Sequence, residues 1–369
     1  MRICFLAPAN NHHTKKWCRW FSRHGHEVHV ISFTDDVIEN VTVHFMDTGA
    51  SADSGDFTKL RYLFAAIKVR KLVGEIKPDI INVHFATSYG TVAALARLRN
   101  YVLSMWGADI YDFPKKSFIH AMMLRYSLGK APYLFSTSRA MADEARRYTG
   151  KPIEITPFGV DMTLFNPDKR KRREDGKFII GTVKTLTPKY GIDYLLKAVA
   201  IVKKKRPDVS LEVRIAGKGP MEGELRALSS SLGLESFVVW LGYVSQTEAA
   251  REWANMDIGI VYSTLESESF GVSAVEAEAS ACPLIISDIP GLMEATDPGV
   301  SSLVVPRCSE EKLASAIISL FDRGEERILM GRMGREFVSE KFELDRCFSD
   351  IENLFRKILE SSEQYRSLL

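Results

Sequence analysis

The sequence predicts an α/β protein of two doubly wound, Rossmann-like domains. Three observations predict it. At 369 residues the chain is long enough for two domains that each bury a core. Near-continuous apolar runs alternate with helical patterns, as in parallel sheets covered on both faces. The alternation breaks once, at the polar, charge-dense and Pro/Gly-bounded stretch 166–176, and then restarts.

In the first half, apolar and β-branched runs predict strands at 2–7, 27–33, 41–45, 80–85, 101–105 and 133–137. Helical spacing predicts helices at 14–24, 60–76, 89–99, 117–130 and 140–148. In the second half, strands are predicted at 178–183, 211–216, 237–241, 258–262, 284–287 and 303–305. Helices are predicted there at 192–205, 221–232, 246–254, 272–281, 310–322 and 326–340, with a last one from Leu344. The domains are accordingly placed at 1–168 and 177–343, with the linker between them and a helix at 344–369 after the second.

Composition narrows the function. With 46% hydrophobic and 26% charged residues and a net charge of +2, nothing points to nucleic acid; the basic run in 166–176 reads as a solvated linker rather than a localisation signal. The five cysteines are scattered without metal-ligand spacing and read as reduced thiols of a cytoplasmic protein. The apolar run 3–9 is too short for a signal-peptide core, and no run approaches a membrane span, so any membrane contact is expected to be peripheral, on the inner face. After the first strand stands Pro8-Ala-Asn-Asn-His-His-Thr-Lys-Lys where a dinucleotide site would carry G-x-G-x-x-G. A Walker lysine motif, a G-x-S-x-G elbow and an H-E-x-x-H helix are absent too.

The most informative segment is Thr264 to Ser287. Glu268 and Glu276 lie eight positions apart across Phe270-Gly271, which opens a helix between two apolar strands. A helix N-terminus at a sheet edge offers unpaired N–H groups and a dipole to an anion. Gly271 lacks a Cβ and would let the anion approach the backbone. Glu276, one turn on, could accept hydrogen bonds from sugar hydroxyls. Ser273-x-x-Glu276 equally fits a capping box that needs no ligand, and the local pattern does not separate the two readings. Two further strand ends carry candidate ligand groups. Ile215-Ala-Gly-Lys-Gly-Pro220 places Gly217 and Gly219 in a tight turn, and Gly181 to Gly191 carries Lys184 and Lys189. Each alone reads as an ordinary turn or a surface lysine; their joint appearance after three strands of one domain favours a site.

Taken together, these motifs resemble the retaining glycosyltransferases of the glycosyl group 1 (glycosyltransferase family four) type, which have the GT-B architecture of two facing Rossmann-like domains with a central cleft. The matching features are Gly181 to Gly191, Ala216-Gly-Lys-Gly-Pro220, Val239-Trp-Leu-Gly242, Glu268-Ser-Phe-Gly271 with Glu276, Cys282 to Ser287, Gly291-Leu-Met-Glu294, and Pro157-Phe-Gly-Val-Asp161 with Phe165. The resemblance covers essentially the whole chain and implies that the helix at 344–369 packs back on the first domain. It implies that Glu276 binds the donor ribose, that the backbone of Phe270, Gly271 and Val272 holds the diphosphate, and that Glu268 contacts the transferred sugar. Lys184 and Lys189 would neutralise the leaving diphosphate, so no metal and no cofactor is expected beyond the donor, a UDP-sugar in preference to a GDP-sugar. The acceptor would be a glycan or a lipid-linked hydroxyl. Relatives often carry G-R-L-x-x-x-K-G where this chain has Lys184-Thr-Leu-Thr-Pro-Lys-Tyr-Gly, and His where Trp106 stands, which leaves Asp109 as the nearest polar candidate. A glycine pair common after the first strand is replaced by Asn10 to His13.

On the first domain, His12, His13 and His84 fall at expected strand ends and read as acceptor contacts or loop histidines rather than metal ligands. The helix from Thr14 presents Trp17, Trp20 and Phe21 with Lys15, Lys16, Arg19 and Arg23 elsewhere; 60–76 has an apolar stripe near Lys59, Arg61, Lys68 and Arg70. Both read first as core-facing helices, with docking on anionic lipid as the sharper alternative. The function expected is transfer of a hexosyl or N-acetylhexosaminyl group to a hydroxyl in polysaccharide or glycolipid assembly. A sugar-nucleotide epimerase and a non-catalytic nucleotide-sugar-binding subunit are the competing readings.

Overall fold

The computed structural model describes residues 1–47, 61–171 and 176–367. Lys59, Leu60 and the stretch 172–175 of the charged segment, to which part of the sequence reading refers, lie outside the described residues. The chain divides into two units, one of Met1–Phe158 with Asp345–Leu369 and one of Gly159–Leu344.

The first unit holds β1 (Arg2–Leu6), α1 (His12–Arg23), β2 (Glu27–Ser32), β3 (Thr42–Phe45), α2 (Arg61–Ile76), β4 (Ile80–His84), α3 (Ser88–Leu95), β5 (Tyr101–Met105), α4 (Ala108–Tyr111), α5 (Phe118–Lys130), β6 (Tyr133–Ser136), α6 (Arg139–Ala145) and β7 (Ile153–Ile155). Its seven strands form one sheet in the order β3-β2-β1-β4-β5-β6-β7, every pair parallel. β4 and β5 are buried at every position, as strands covered on both faces must be.

Helix α1 begins two residues earlier than its apolar spacing suggests. Asn11 caps it, its side chain accepting the N–H groups of His13 and Thr14 at 2.8 and 3.3 Å. Its aromatic stripe is buried in the unit. Trp17, Trp20 and Phe21 pack on Phe348 of the last helix, with ring centroids 5.2, 5.4 and 6.1 Å apart. Trp20 Nε1 also donates to Asp345 at 2.7 Å. With that stripe covered, α1 has no apolar face to offer a membrane, and the lipid-docking alternative for this helix is corrected. In α2, Ala65, Ala66 and Val69 are buried and Lys68 and Arg70 face out, an ordinary core-facing helix.

The second unit holds β8 (Phe178–Val183), α7 (Ile192–Lys205), β9 (Leu211–Ala216), α8 (Glu222–Ser231), β10 (Val238–Gly242), α9 (Gln246–Asn255), β11 (Ile258–Val261), α10 (Val272–Ala279), β12 (Leu284–Ser287), α11 (Pro290–Ala295), β13 (Ser302–Val305), α12 (Glu310–Asp322) and α13 (Gly324–Lys341). Its six strands are parallel in the order β10-β9-β8-β11-β12-β13. The last helix, α14 (Leu344–Ser367), belongs to the first unit from Asp345 on.

In both sheets the order reverses beside the unit's first strand, between β1 and β4 and between β8 and β11. Ligands of doubly wound sheets bind outside the carboxyl ends of the strands at that reversal. The chain leaves the first unit at Phe158, ahead of the charged stretch that the sequence marks as the linker. The residues between are tied into the second unit: Arg335 donates to the carbonyls of Phe165 and Met162, Arg170 pairs with Asp257 at 2.5 Å, and Val160 N–H donates to Phe342 at 2.8 Å. Helices α4 and α11 and strand β7 were not expected from the sequence; at four, six and three residues they are too short to show a period.

Candidate functional site

In the second unit the expected donor residues gather at the carboxyl ends of β8 and β11, on either side of the order reversal. Lys184 follows β8 directly. Its Nζ lies 3.2 Å from both carboxylate oxygens of Glu268, in the loop between β11 and α10. Both side chains are nearly buried, at 10% and 8% exposure. Lys189 Nζ donates to the Ser267 carbonyl at 2.7 Å and stands 4.0 Å from Glu268. Ser263 Oγ, just past β11, donates to Glu268 at 3.3 Å. The Tyr190 ring lies under both lysines, 4.4 Å from Lys184 Nζ and 5.3 Å from Lys189 Nζ.

These contacts decide the charge states. Burial would push the Glu268 carboxyl up, but Lys184, Lys189 and the hydrogen bonds hold it below the usual carboxylate range. Burial would lower Lys184, but Glu268, Tyr190 and Glu276 together hold it above the usual lysine range. Thus Glu268 holds the lysine by direct contact. The sequence reading assigns Lys184 to the diphosphate and Glu268 to the sugar as separate contacts; the structure pairs them with each other.

The capping-box reading of Ser273 and Glu276 fails. The N-cap of α10 is Gly271, in the left-handed region at φ 74°, a residue with no side chain to cap the helix. Ser273 already lies inside the helix and is buried, so it cannot act as its cap. A capping box does form in this unit, but at α9, where Ser245 and Glu248 bond reciprocally. The N-cap residue therefore brings no side chain to the first N–H groups of α10, of which that of Ala274 turns back to the Gly271 carbonyl at 2.8 Å. Gly271 also has a packing reason beyond anion approach: a Cβ there would come within 2.8 Å of Leu292 Cδ2 and 3.2 Å of the Ala295 Cβ. Phe270 is buried and Val272 half-buried.

Gly217 is explained by packing in the same way. Its φ is 145°, and a Cβ would collide with the Lys184 carbonyl. The loops after β8 and β9 touch backbone to backbone here, with Lys184 N–H on Ala216 at 2.9 Å and Leu186 N–H on Lys218 at 3.1 Å. Gly217 therefore positions the lysine loop.

In the first unit Asp109 is 3% exposed. Its carboxylate accepts backbone N–H groups from Ala86, Gly107 and Trp106 at 2.8, 2.8 and 3.2 Å. Burial holds it above the usual value against those bonds. It ties the loops after β4 and β5 together; as a polar group offered to an acceptor it is corrected. His84 is enclosed by Phe5, Trp17 and Trp106 and is kept neutral by burial, its pKa lowered to about 3. It therefore does not open onto the edge of the sheet. His13 stacks on Phe158 at 4.1 Å, and burial lowers its pKa well below the usual histidine range. Among the described residues no His, Cys, Asp or Glu cluster could hold a metal ion. Tyr190 and Ser263 were not singled out in the sequence; each stands beside a motif, at a strand's carboxyl end, and that position was the available signal.

Two parallel sheets with order reversals, the second carrying lysines and glutamates at its strand ends, define the GT-B class of α/β protein. Solved structures share this fold along the whole chain. Sucrose-phosphate synthase from Thermosynechococcus elongatus superposes with TM-score 0.84 at 19% identity, covering 98% of this chain and 100% of its own. Anabaena HepE in complex with UDP and glucose superposes with TM-score 0.80 at 19% identity, covering 97% and 100%. The chain belongs to the group 1 glycosyltransferase family. A Glycosyl transferase 4-like model matches residues 2–138 and a Glycosyl transferases group 1 model matches residues 165–337. A D-inositol 3-phosphate glycosyltransferase of Arthrobacter sp. (strain FB24) is 31% identical over 188 residues, 49% of this chain and 44% of its own length. An uncharacterized glycosyltransferase of Methanocaldococcus jannaschii is 24% identical over 373 residues, 94% of each. The chain spans about half the length of the D-inositol 3-phosphate glycosyltransferases it matches.

Proposed function

We propose that the chain transfers a hexosyl or N-acetylhexosaminyl group from a UDP-sugar to a hydroxyl acceptor in polysaccharide or glycolipid assembly, with retention at the anomeric carbon. The observation that carries this reading is the buried Lys184–Glu268 pair, with Lys189 beside it, at the strand ends that flank the order reversal and just ahead of α10. In the reaction the bond from the anomeric carbon to the diphosphate breaks and a bond to the acceptor oxygen forms, with loss of the acceptor proton. The cost lies in the negative charge that develops on the departing diphosphate. Lys184, Lys189 and the first N–H groups of α10 are fixed cationic or donor groups that lower that cost without reorganising. Phe270, Gly271 and Val272 present the backbone to the diphosphate, and Glu276 accepts hydroxyls of the ribose. Glu268 holds Lys184 charged and oriented, and reaches the donor sugar from the same position.

UDP is preferred to GDP because the similar HepE and TarM structures were solved with UDP. The TarM complex also holds fondaparinux and alpha-GlcNAc-glycerol, which supports a glycan or glycerol-type hydroxyl as acceptor. Thermal-shift measurements with UDP, GDP, ADP and their sugars test the donor, since a specific ligand raises apparent stability by mass action. UDP compounds are expected to give the largest shift. Product analysis then separates the chemistries. Transfer that requires an added hydroxyl supports this reading, epimerised donor without acceptor would replace it with an epimerase, and binding without any turnover would replace it with a binding subunit.

A further inference from the structure

Helix α5 of the first unit has two unlike faces. Leu124, Ser127 and Leu128 are buried. On the opposite side Phe118, Ile119, Met122 and Tyr126 are 78%, 67%, 54% and 40% exposed. At about 100° per residue these four fall in one sector of roughly 100°, bracketed by Arg125 on one side and Lys130 on the other. Lys130 stays beside the apolar stripe, over the Tyr126 ring at 5.8 Å, while Arg125 lies over Tyr148 at 5.4 Å. The turn that leads into the helix adds exposed Lys115 and Lys116. The helix itself carries no aspartate or glutamate; Asp112, at the start of that turn, is the nearest acid in sequence. Single exposed apolar residues are normal, but four large ones in a contiguous stripe with a cationic rim are not.

We infer that this face docks on an anionic lipid surface. Phe118, Ile119, Met122 and Tyr126 would enter the boundary between headgroups and acyl chains, while Lys115, Lys116, Arg125 and Lys130 lie level with the lipid phosphates. A second copy of the chain fits the same face poorly. A two-fold contact across it would set the four cations of one copy against those of the other. The placement suits a substrate delivered from a membrane. Between the parallel strands β5 and β6, α5 runs back from the carboxyl edge of the sheet, so Phe118 and Ile119 lie towards the edge where doubly wound sheets bind ligands. That this would favour lipid-linked acceptors rests on the transfer reading above; the docking itself does not.

The test is sedimentation of the full chain with phosphatidylcholine vesicles and with vesicles that also contain phosphatidylglycerol, without nucleotide. Binding is expected only with phosphatidylglycerol, falling as salt rises. The triple variant Phe118→Ser, Ile119→Ser, Met122→Ser and the charge variant Lys115→Glu, Lys116→Glu are each expected to bind about tenfold more weakly or less. Unchanged melting temperature and unchanged UDP binding confirm that both remain folded and separate a docking failure from a donor-site failure. Absence of wild-type binding to either vesicle, or wild-type binding by the triple variant, overturns the inference. So does a wild-type dimer that the triple variant dissociates, because the face would then be a contact between copies.

Discussion

Lys184 Nζ lies 3.2 Å from both carboxylate oxygens of Glu268, with each side chain about nine-tenths buried and the partners 84 positions apart in the chain. The pair joins the loops at the carboxyl ends of β8 and β11, where the strand order of the second sheet reverses. Removing either partner leaves a buried charge without its counterpart. Lys184→Met and Glu268→Gln are each expected to destabilise by about 3 kcal/mol. The double variant is expected to lose less than the sum of the two. Chemical denaturation of the three variants and the wild type measures the coupling; strictly additive losses would mean that the pair contributes nothing jointly.

The pH dependence of this pair follows from the two shifts. The Glu268 carboxyl is held below its ordinary value of 4.5, so its contribution is present above that value and is lost as pH falls through the lowered one. Lys184 is held above its ordinary 10.5, so its contribution is present below that value and is lost as pH rises through the raised one. The stability gap between the wild type and the double variant is therefore expected to be flat between these limits. A gap that collapses near neutral pH contradicts the charge states assigned.

Glu278, on the buried side of α10, gives the opposite sign. Burial pushes its carboxyl up to about 8, against a bond from Ser301 Oγ at 2.5 Å to one oxygen, while the other oxygen is buried without a partner. A raised carboxyl favours the protonated native form, so stability is lost as pH rises from about 4.5 to about 8. Glu278→Gln is expected to leave the melting temperature nearly unchanged in mild acid and to raise it above pH 8. A variant that follows the wild type at both pH values would show that Glu278 does not titrate in this range.

Gly217→Ala tests the support of the site rather than the site itself. The new Cβ would meet the Lys184 carbonyl at a φ that alanine rarely adopts. A destabilisation of about 1–3 kcal/mol is expected, with weaker UDP binding because the lysine loop shifts. Retained stability together with retained UDP affinity would show that the loops after β8 and β9 can separate freely.

Most of the fold was legible because buried parallel strands leave near-continuous apolar runs, as in Ile179 to Val183 around Thr182, Val102 to Met105 around Ser104, and Leu284 to Ile286. Four-residue α4 and three-residue β7 could not, since neither completes a period. The site residues were legible as residue types at strand ends, but their relations were not. The Lys184–Glu268 pair depends on which strands flank the order reversal, and local pattern does not encode that. The sequences Ser245-x-x-Glu248 and Ser273-x-x-Glu276 look alike, yet only the first is a capping box. What separates them is the left-handed Gly271, which starts α10 two residues before Ser273. Asp109 and Gly217 read as ligand groups because burial is invisible in a sequence; one is saturated by backbone N–H groups and the other is pressed against a neighbouring loop.

The central claim is that Glu276, Lys184 and the N-terminus of α10 form the nucleotide end of a donor site. Titration calorimetry of UDP against the wild type and Glu276→Ala tests it most directly, because Glu276 is only half-buried and its loss leaves the Lys184–Glu268 pair in place. The account predicts that Glu276→Ala lowers UDP affinity by about tenfold or more, as loss of a hydrogen bond to a charged acceptor does, in a protein that still unfolds cooperatively in the absence of ligand. Equal UDP affinity in the two proteins would contradict it.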